Sequence, residues 1–368
     1  MNGKRLSGAA LITGAAASAA LVAASPASAA PAHHPNSRTH SHGVTQTNLV
    51  SDQPGKAQIT DPNLINAWGL SRGPNTPIWV SNAGTGTSTL YAGAVDGSPV
   101  VATPAGSPLI VKVPGGPVTG QTFNSASTGF VVPGTGASAN FIFATVGGTI
   151  AAWNPAAGTQ AAAVATVPGA IYTGLTQSQS PFGPLLLAAD FHDNRIDVFN
   201  SSFQKLDTPS QFRDRSLPAN YAPFNVQVLG NDVYVTYAKQ DAARQLDVAG
   251  HGLGFVDKFS TFGTFEQRIA SHGSLNAPWG LVIAPQNFGK DSNDLLVGNF
   301  GDGTIHAYDP RSGRFLGTLT DTQGRVIRID HLWGLLTGDA VAGGPDSIWF
   351  SAGPDNEQHG LLGTLTAR

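Results

Sequence analysis

The side chains of this sequence that could do chemistry are imidazoles, carboxylates and amides. There is no cysteine, which excludes a disulfide, a thiolate nucleophile and a lipid-modified cysteine. Neither a Gly-x-Ser-x-Gly nucleophile turn nor a His-Glu-x-x-His zinc motif is present. Histidine, aspartate and asparagine could together hold a calcium or zinc ion, or a polar ligand. The candidate ligand-binding residues are Asn66, Asn82, Asp190, His192, Asp193, His251, Asn276, Asn299, Asp302, His331 and His359.

Repetition of the sequence indicates the scaffold that must position these residues. Six aromatic anchors, each beside a small or polar residue, lie 55, 49, 52, 55 and 54 residues apart. A self-similar unit of about 50 residues is typical of a β-propeller, in which each unit is one four-stranded blade. The anchors are Trp68-Gly69-Leu70, Phe123-Asn124, Tyr172-Thr173-Gly174-Leu175, Phe224-Asn225-Val226, Trp279-Gly280-Leu281 and Trp333-Gly334-Leu335.

The composition and the interior of the units favour the same architecture. With 45 glycines, 25 prolines, one methionine and 12% charged residues, the chain suits short strands and turns better than long amphipathic helices. Units three and five align with each other through residues 189–200 and 298–309. The alternative is a pair of β-sandwiches, which the regular period disfavours.

The residue count predicts how the ring closes. Only 35 residues follow Trp333, fewer than a full unit, whereas 24 residues of the folded part, 44–67, precede Trp68. These two segments together make one blade, so an N-terminal strand should complete the last blade and remove its open edge. The sequence thus predicts an all-β, six-bladed propeller with four-stranded blades, in which residues 47–51 pair with residues 360–366.

Alternating strand directions place most candidate residues at one end of the ring. The loops that enter each blade, and those between its second and third strands, share one end, called the top here. Five of the six histidines in the folded part map to top loops, and only His306 maps to a strand. Such loops commonly carry binding residues, although Asn and Asp are also frequent in turns because they bond their own backbone. The predicted top loops include residues 61–67, 118–122, 271–278 and 330–332, and residues 82–88, 192–194, 239–252, 299–303 and 353–359.

Three further motifs have two interpretations each. The Trp-Gly-Leu anchors could be aromatic platforms for a sugar, but Trp between blades and Gly beside the axis favour a core role. The glycine-rich run 298–303 could cradle phosphate, but it opens no helix and therefore favours a turn. Histidines 33, 34, 40 and 42 could bind copper or zinc, but no carboxylate accompanies them.

The first residues have the pattern of an export signal. Lys4 and Arg5 precede an uncharged, Ala-rich stretch, residues 8–24, and Ala27-Ser28-Ala29 is a cleavage motif. The alternative, a retained transmembrane helix, is disfavoured because this stretch is weakly hydrophobic. We expect a secreted, extracellular protein, with a signal peptide at residues 1–29, a disordered His-rich leader at 30–43 and the propeller at 44–368.

Charge excludes two classes of partner. Removal of the signal peptide changes the net charge from −3 to −5. A mildly acidic domain argues against nucleic acid, which is held mainly by Lys and Arg, and no polybasic patch is available for anionic lipid. We therefore expect neither nucleic acid nor membrane as a partner of the mature chain, and we expect a monomer.

Several motifs resemble a bacterial family of exported proteins with no assigned activity. Residues 49–55 (LVSDQPG) and 61–70 (DPNLINAWGL) match the opening of that family, and residues 276–281 and 298–303 strengthen the match. The resemblance runs from about Leu49 to the end and implies a six-bladed propeller; it brings no catalytic residues. A wider resemblance is to NHL-repeat and gluconolactonase-like propellers. The lactonases hold a metal at the top of the channel with an early Glu, which residues 63–68 lack here.

Two functional hypotheses follow from these observations. The absence of a catalytic signature and the loop-rich top end favour a binding or interaction module for an extracellular glycan, small molecule or protein. The alternative is a lactonase-like, metal-assisted hydrolase or lyase with calcium or zinc at the same face. It depends on the top-loop histidines together with Asp190, Asp193, Asn299 and Asp302. Whether the chain is an enzyme stays open between the two.

Overall fold

The computed structural model describes residues 43–367, which form six β-sheets. Each sheet is one blade, so the prediction of an all-β, six-bladed propeller is confirmed. The predicted signal peptide, residues 1–29, and the leader as far as residue 42 lie outside the described residues. Across residues 43–367, no helix has the length and apolar character that crossing a membrane requires.

The strands follow one another blade by blade. The N-terminal closing segment contains β1 (Val44–Ser51) and β2 (Ile59–Thr60). Blade one contains β3 (Ala67–Ser71), β4 (Ile78–Asn82), β5 (Thr87–Gly93), β6 (Val100–Ala102) and β7 (Ile110–Lys112). Blade two contains β8 (Val118–Phe123), β9 (Phe141–Thr145), β10 (Thr149–Trp153) and β11 (Ala162–Thr166). Blade three contains β12 (Tyr172–Ser180), β13 (Gly183–Asp190), β14 (Arg195–Phe199) and β15 (Lys205–Leu206).

The second half of the ring continues the pattern. Blade four contains β16 (Tyr221–Leu229), β17 (Asp232–Lys239), β18 (Phe255–Ser260) and β19 (Phe265–Ser271). Blade five contains β20 (Pro278–Ile283), β21 (Leu295–Asn299), β22 (Ile305–Tyr308) and β23 (Phe315–Thr318). Blade six contains β24 (Leu332–Thr337), β25 (Ser347–Ala352) and β26 (Leu361–Ala367). Two single-turn 3-10 helices, Pro155–Ala157 and Gly289–Asp291, lie in the connections.

Burial explains why the second strands are apolar without alternation. Every residue of β4, β9 and β21 is buried, because neighbouring blades cover both faces of each sheet. A strand covered on both faces reads as a continuous apolar run, such as Leu295-Leu296-Val297. The outer strand β11 is half-buried or exposed throughout. The core therefore lies between the blades and not along the axis alone.

The ring is closed by the N-terminal strand. Strand β1 pairs antiparallel with β26, from Val44 opposite Ala367 to Ser51 opposite Leu361. The predicted pairing of residues 47–51 with residues 360–366 is confirmed. Strand β2 adds in parallel to β1, so the closing blade has five strands.

The aromatic anchor of blade two is displaced from its predicted place, whereas in blade three the bulge residue Thr173 lies within the predicted anchor 172–175. The hydrogen-bond register shifts at one residue near the start of each of the six inner strands, which marks a β-bulge. In blade two the bulge falls at Thr119-Gly120, so the prediction of Phe123-Asn124 as the anchor is wrong. The predicted top loop 118–122 lies within strand β8. Thr119 can replace an aromatic residue because its hydroxyl donates to the Tyr172 carbonyl at 2.6 Å. The bulge residues are Trp68, Thr119, Thr173, Phe224, Trp279 and Trp333.

Candidate functional site

A pocket of about 290 Å³ lies on the axis at the top end of the ring. This volume is near the lower limit of typical small-molecule sites. Five of the six blades contribute to it, through the loops that enter blades one to three and the second-to-third loops of blades one to four and six. Four bulge residues of inner strands also line it, which are Trp68, Thr173, Phe224 and Trp333. We call this cavity the axial pocket.

The axial pocket has a floor because the inner strands meet closely beneath it. A Cβ atom at Gly69 would overlap the Thr119 carbonyl, and one at Gly120 would overlap the backbone of Gly174 and Leu175. Asn225 takes the corresponding place in blade four, where its Nδ2 donates to the Trp279 carbonyl at 2.9 Å. The cavity that remains on the axis has a volume of about 10 Å³, hardly enough for one water molecule. The pocket is therefore blind.

Aromatic rings form the wall of the axial pocket. Trp68 and Trp333 stack with their ring centroids 3.6 Å apart, and Trp333 also stacks on Phe300 at 4.0 Å. Phe191 and Phe224 extend this wall, with 5.3 Å between their centroids. The Trp333 indole N–H donates to Asn66 Oδ1 at 2.9 Å. The Trp68 indole N–H is buried and has no acceptor among the described residues. The anchors thus serve as core and as pocket wall.

Two carboxylates face this aromatic wall. Asn66 Nδ2 donates to Glu357 Oε2 at 2.6 Å, whereas Asp247 receives no side-chain hydrogen bond within residues 43–367. Burial raises the pKa of Asp247 to about 6; a hydrogen bond from its own backbone amide opposes the rise, the nearby charge of Glu357 adds to it, and His331 opposes it. Burial likewise raises the pKa of Glu357, opposed by Asn66 and His331. Such shifts are frequent at functional sites.

Two long loops bring these carboxylates to the axis. The loop 240–254 of blade four folds back on itself, because the Asp241 carboxylate accepts the Gln245 amide at 2.8 Å. Its tip residue, Leu246, is 69% exposed at the pocket mouth. In the loop 353–360 of blade six, Glu357 and the two residues before it all have positive φ. The Glu357 amide donates to the Gly353 carbonyl at 2.9 Å, which closes this turn.

Of the predicted site residues, Asn66 lines the axial pocket, and His331 lies beside it, against Phe300. Asn66 joins the aromatic wall to a carboxylate, because it contacts both Trp333 and Glu357. His331 packs edge-on against Phe300 at 4.9 Å, and its Nδ1 lies 2.7 Å from Asp330 Oδ1. The prediction missed Asp247 and Glu357, although both lie in predicted top loops.

A second group of predicted residues stabilises the second-to-third turn of blade three. Asp190 accepts the backbone amides of Ile171 and Asp193, both at 3.2 Å. Asp193 lies 3.0 Å from His192 and 2.8 Å from Arg195. Burial raises the pKa of Asp190 to about 6. These contacts hold the turn together and give the group a structural role.

A third group has the same role in blades one and five. Buried Asn299 donates through Nδ2 to the Ser274 carbonyl at 2.8 Å and to Asp302 at 3.2 Å. Asn82 donates in the corresponding way to the hydroxyls of two threonines in β5. Asn276 Oδ1 accepts the Gly250 amide at 2.6 Å. Hydrogen bonds to Thr304 and Asn299 lower the pKa of Asp302.

The last two candidates lie apart from both groups. His251 is exposed, and His359 Nδ1 lies 2.7 Å from Asp52 Oδ2. Within residues 43–367, no three His, Cys, Asp or Glu side chains come together as a group that could hold a metal ion. The residues on which a lactonase-like metal site depends therefore do not fit a bound calcium or zinc ion.

Clefts of similar or larger volume lie on the outer wall between blades three and four. One of about 440 Å³ is lined by Arg213, Asp214 and Arg215. Another of about 300 Å³ is lined by Arg195 and Lys205, which both form ion pairs with Asp197. The axial pocket differs from these clefts because loops of five blades converge on it and aromatic rings line it.

A six-bladed β-propeller with a blind, aromatic-walled pocket at one end of its axis is the class that this fold and site define. The chain belongs to the family of two mimivirus proteins, named uncharacterized proteins R648 and L690 of Acanthamoeba polyphaga mimivirus. R648 is 32% identical over 86% of this chain and 78% of its own length. L690 is 30% identical over 86% of this chain and 84% of its own length. The sequence matches no family model.

A solved structure shows the same fold. It is a protein of unknown function from Bacteroides thetaiotaomicron, 12% identical, with a TM-score of 0.54 over 89% of this chain and 76% of that chain. The expectation of a propeller family without an assigned activity is confirmed at this level. The relatives' names give no ligand or reaction for the axial pocket.

Proposed function

We propose that this propeller is a binding module whose ligand is a small, largely apolar molecule held in the axial pocket. The observation that carries the proposal is the aromatic wall, in which Trp68, Phe191, Phe224 and Trp333 line one blind cavity. Apolar and aromatic walls with a few polar groups are the usual composition of small-molecule sites. Of the partners expected from the sequence, a small molecule suits a blind pocket of this size better than a long glycan or a protein.

The rigid ring supports this proposal. Loops that project from a fixed scaffold can vary without disturbing the core, and the wall is anchored by the inner strands themselves. The exposed side chain of Leu246 at the mouth gives the ligand further apolar contact area. Removing apolar surface from water supplies the main driving force for such binding.

Screening by thermal shift tests the proposal. A library of small aromatic and aliphatic compounds should contain members that raise the melting temperature in a saturable way, because a ligand that binds the folded state stabilises it. Val146 lines the pocket and is half-buried, so Val146→Phe should fill the space and abolish the shift. Val326→Phe is the matched control, because Val326 is exposed, lies in the connection between blades five and six and does not line the pocket.

Two results would count against the proposal. One is a library without any saturable ligand. The other is a set of ligands that stabilise the Val146→Phe variant as much as they stabilise the Val326→Phe variant.

Export is a separate part of the proposal. The signal peptide expected at residues 1–29 would expose the pocket to molecules outside the cytoplasm. Expression of the whole chain in a bacterial host, followed by mass spectrometry of the exported fraction, should detect a chain cleaved after Ala29. Retention of the uncleaved chain in the cytoplasm would contradict export.

A further inference from the structure

The axial pocket contains negative charge without positive charge to balance it. The ionisable side chains that line it are Asp247 and Glu357, and no Lys or Arg is among the lining residues. Neither carboxylate forms an ion pair with a Lys or Arg within residues 43–367. His331, beside the pocket, is the titratable group of opposite sign that acts on both carboxylates.

The two carboxylates differ in how well the protein satisfies them. Glu357 accepts a hydrogen bond from Asn66, but Asp247 receives none from any described side chain. A carboxylate that is partly withdrawn from water and has no cationic partner is unfavourable. Burial accordingly raises the pKa of both groups. A cation bound in the pocket would remove this cost.

The aromatic wall favours the same kind of ligand. The faces of Trp and Phe rings carry negative electrostatic potential and attract ammonium groups, most strongly where water is excluded. Trp68 lines the same cavity as the two carboxylates and stacks through one face on Trp333, whose own two faces are covered by Trp68 and Phe300.

We infer that the ligand of the axial pocket is a small molecule that carries an ammonium group on an apolar or aromatic body. The ammonium group would lie at Asp247 and Glu357, and the body would pack against Trp68. This inference rests on the proposed function and narrows its ligand class, because charge complementarity excludes anionic ligands and places neutral ones at a disadvantage.

Three probes of similar shape and different charge test the inference. They are 2-phenylethylamine, 2-phenylethanol and 3-phenylpropanoate, titrated into the protein at pH 7.5 by calorimetry. The amine should bind roughly tenfold or more tightly than the alcohol, as expected for a charge-assisted contact. The propanoate should show no binding.

Variants that remove one negative charge test whether the preference for the amine arises from the two pocket carboxylates. Asp247→Asn should weaken amine binding by roughly tenfold and leave alcohol binding unchanged. Glu357→Gln, which keeps an oxygen for Asn66 to bond, is the second variant and should also weaken amine binding. Asp96→Asn makes the same chemical change at an exposed turn of blade one and should change neither affinity.

The outcomes separate this inference from the proposed function. Equal affinity for amine and alcohol, with both lost in Val146→Phe, would overturn the amine inference and leave small-molecule binding intact. Preferential binding of the propanoate, or amine binding that Asp247→Asn leaves unchanged, would also overturn it. If none of the three probes binds, the amine inference fails, and the library screen with Val146→Phe still decides the proposed function.

Discussion

At the scale of the residue, folding alone does not explain the environment of Asp247. The carboxyl groups of Asp190 and Asp302 accept backbone amides that hold turns, and their roles are complete without a ligand. Asp247 receives no side-chain hydrogen bond within residues 43–367, and burial raises its pKa to about 6. A group kept at a cost to stability is a usual property of a binding site. Asp247 therefore links stability, pH and binding.

Replacing Asp247 by Asn should stabilise the protein at neutral pH. The pKa of Asp247 in the folded protein, about 6, exceeds its ordinary value of 3.8. The ionised form is thus disfavoured by folding, and the destabilisation is absent at acid pH and complete above pH 6. We expect a gain of about 1 to 2 kcal/mol at pH 7.5, less than the whole shift would give because water still reaches the carboxyl. Urea unfolding of the variant and of the parent protein at pH 7.5 and pH 4 measures this gain in the free energy of unfolding.

The matched control is Asp96→Asn, which should leave the free energy of unfolding unchanged at both pH values. For Asp247→Asn the gain should shrink strongly at pH 4, where the carboxyl of the parent protein is protonated in the folded state. An Asp247→Asn variant that is no more stable than the parent at pH 7.5 would contradict this account of the residue.

Amine binding should weaken as the pH falls through 6. Protonation of Asp247, whose pKa is about 6, removes the negative charge that attracts the ammonium group. Burial also raises the pKa of Glu357, and protonation of this carboxyl would lower the attraction further. Affinity for 2-phenylethylamine should fall by about tenfold between pH 7.5 and pH 5, whereas affinity for 2-phenylethanol should stay constant. Parallel loss of both affinities would point to a general change in the pocket.

At the scale of the element, the positions of the strands could be predicted from the sequence, whereas the conformations of the loops could not. Continuous apolar runs such as Leu295-Leu296-Val297 mark second strands because both faces of each blade are covered. The anchor of blade two was displaced by four residues, from Phe123 to Thr119, since the axis requires a bulge and a small residue there but no aromatic ring. Thr119-Gly120 satisfies that requirement, and the nearby Phe123 gave the stronger signal.

The pocket carboxylates were beyond prediction for a physical reason. Their loops, 239–252 and 353–359, were assigned correctly to the top end. Which side chain of a loop faces the axis depends on its turns, and Asp355, Asn356 and Glu357 all have positive φ, which non-glycine residues seldom adopt. No local pattern in the sequence foretells such a turn. Candidate residues such as Asn82 and Asn299 lie at the predicted end, but they bond within their own blades.

Gly120→Ala should destabilise the ring at its axis. A Cβ atom at this position would overlap the backbone of Gly174 and Leu175 in the next blade, which cannot withdraw because the ring is closed. We expect a loss of roughly 1 to 3 kcal/mol, measured by urea unfolding. Gly250→Ala is the control, because its added methyl group would meet only the Leu253 side chain. Equal losses in the two variants would mean that the axis is not closely packed.

At the scale of the whole molecule, closure by β1 was predictable because counting residues left the last blade one strand short.

Chains that begin at residue 43 and at residue 53 test the contribution of β1 to the stability of the ring. The first should match the full chain in melting temperature. The second lacks the β1–β26 ladder and buried Leu49 and Val50, and should lose several kcal/mol, at about 1 kcal/mol for each backbone hydrogen bond. Similar melting temperatures would show that the ring closes without this strand.

The central claim is that ligands bind in the axial pocket, and tryptophan resonances test it most directly. The chain has six tryptophans, and two of them, Trp68 and Trp333, line the pocket. Protein labelled with 5-fluorotryptophan, with resonances assigned by Trp→Phe variants, would be titrated with the best library compound and followed by fluorine NMR. We predict saturable shifts of the Trp68 and Trp333 resonances, with Trp79, Trp153 and Trp349 unchanged. Saturable binding that shifts those three and leaves Trp68 and Trp333 in place would contradict the claim.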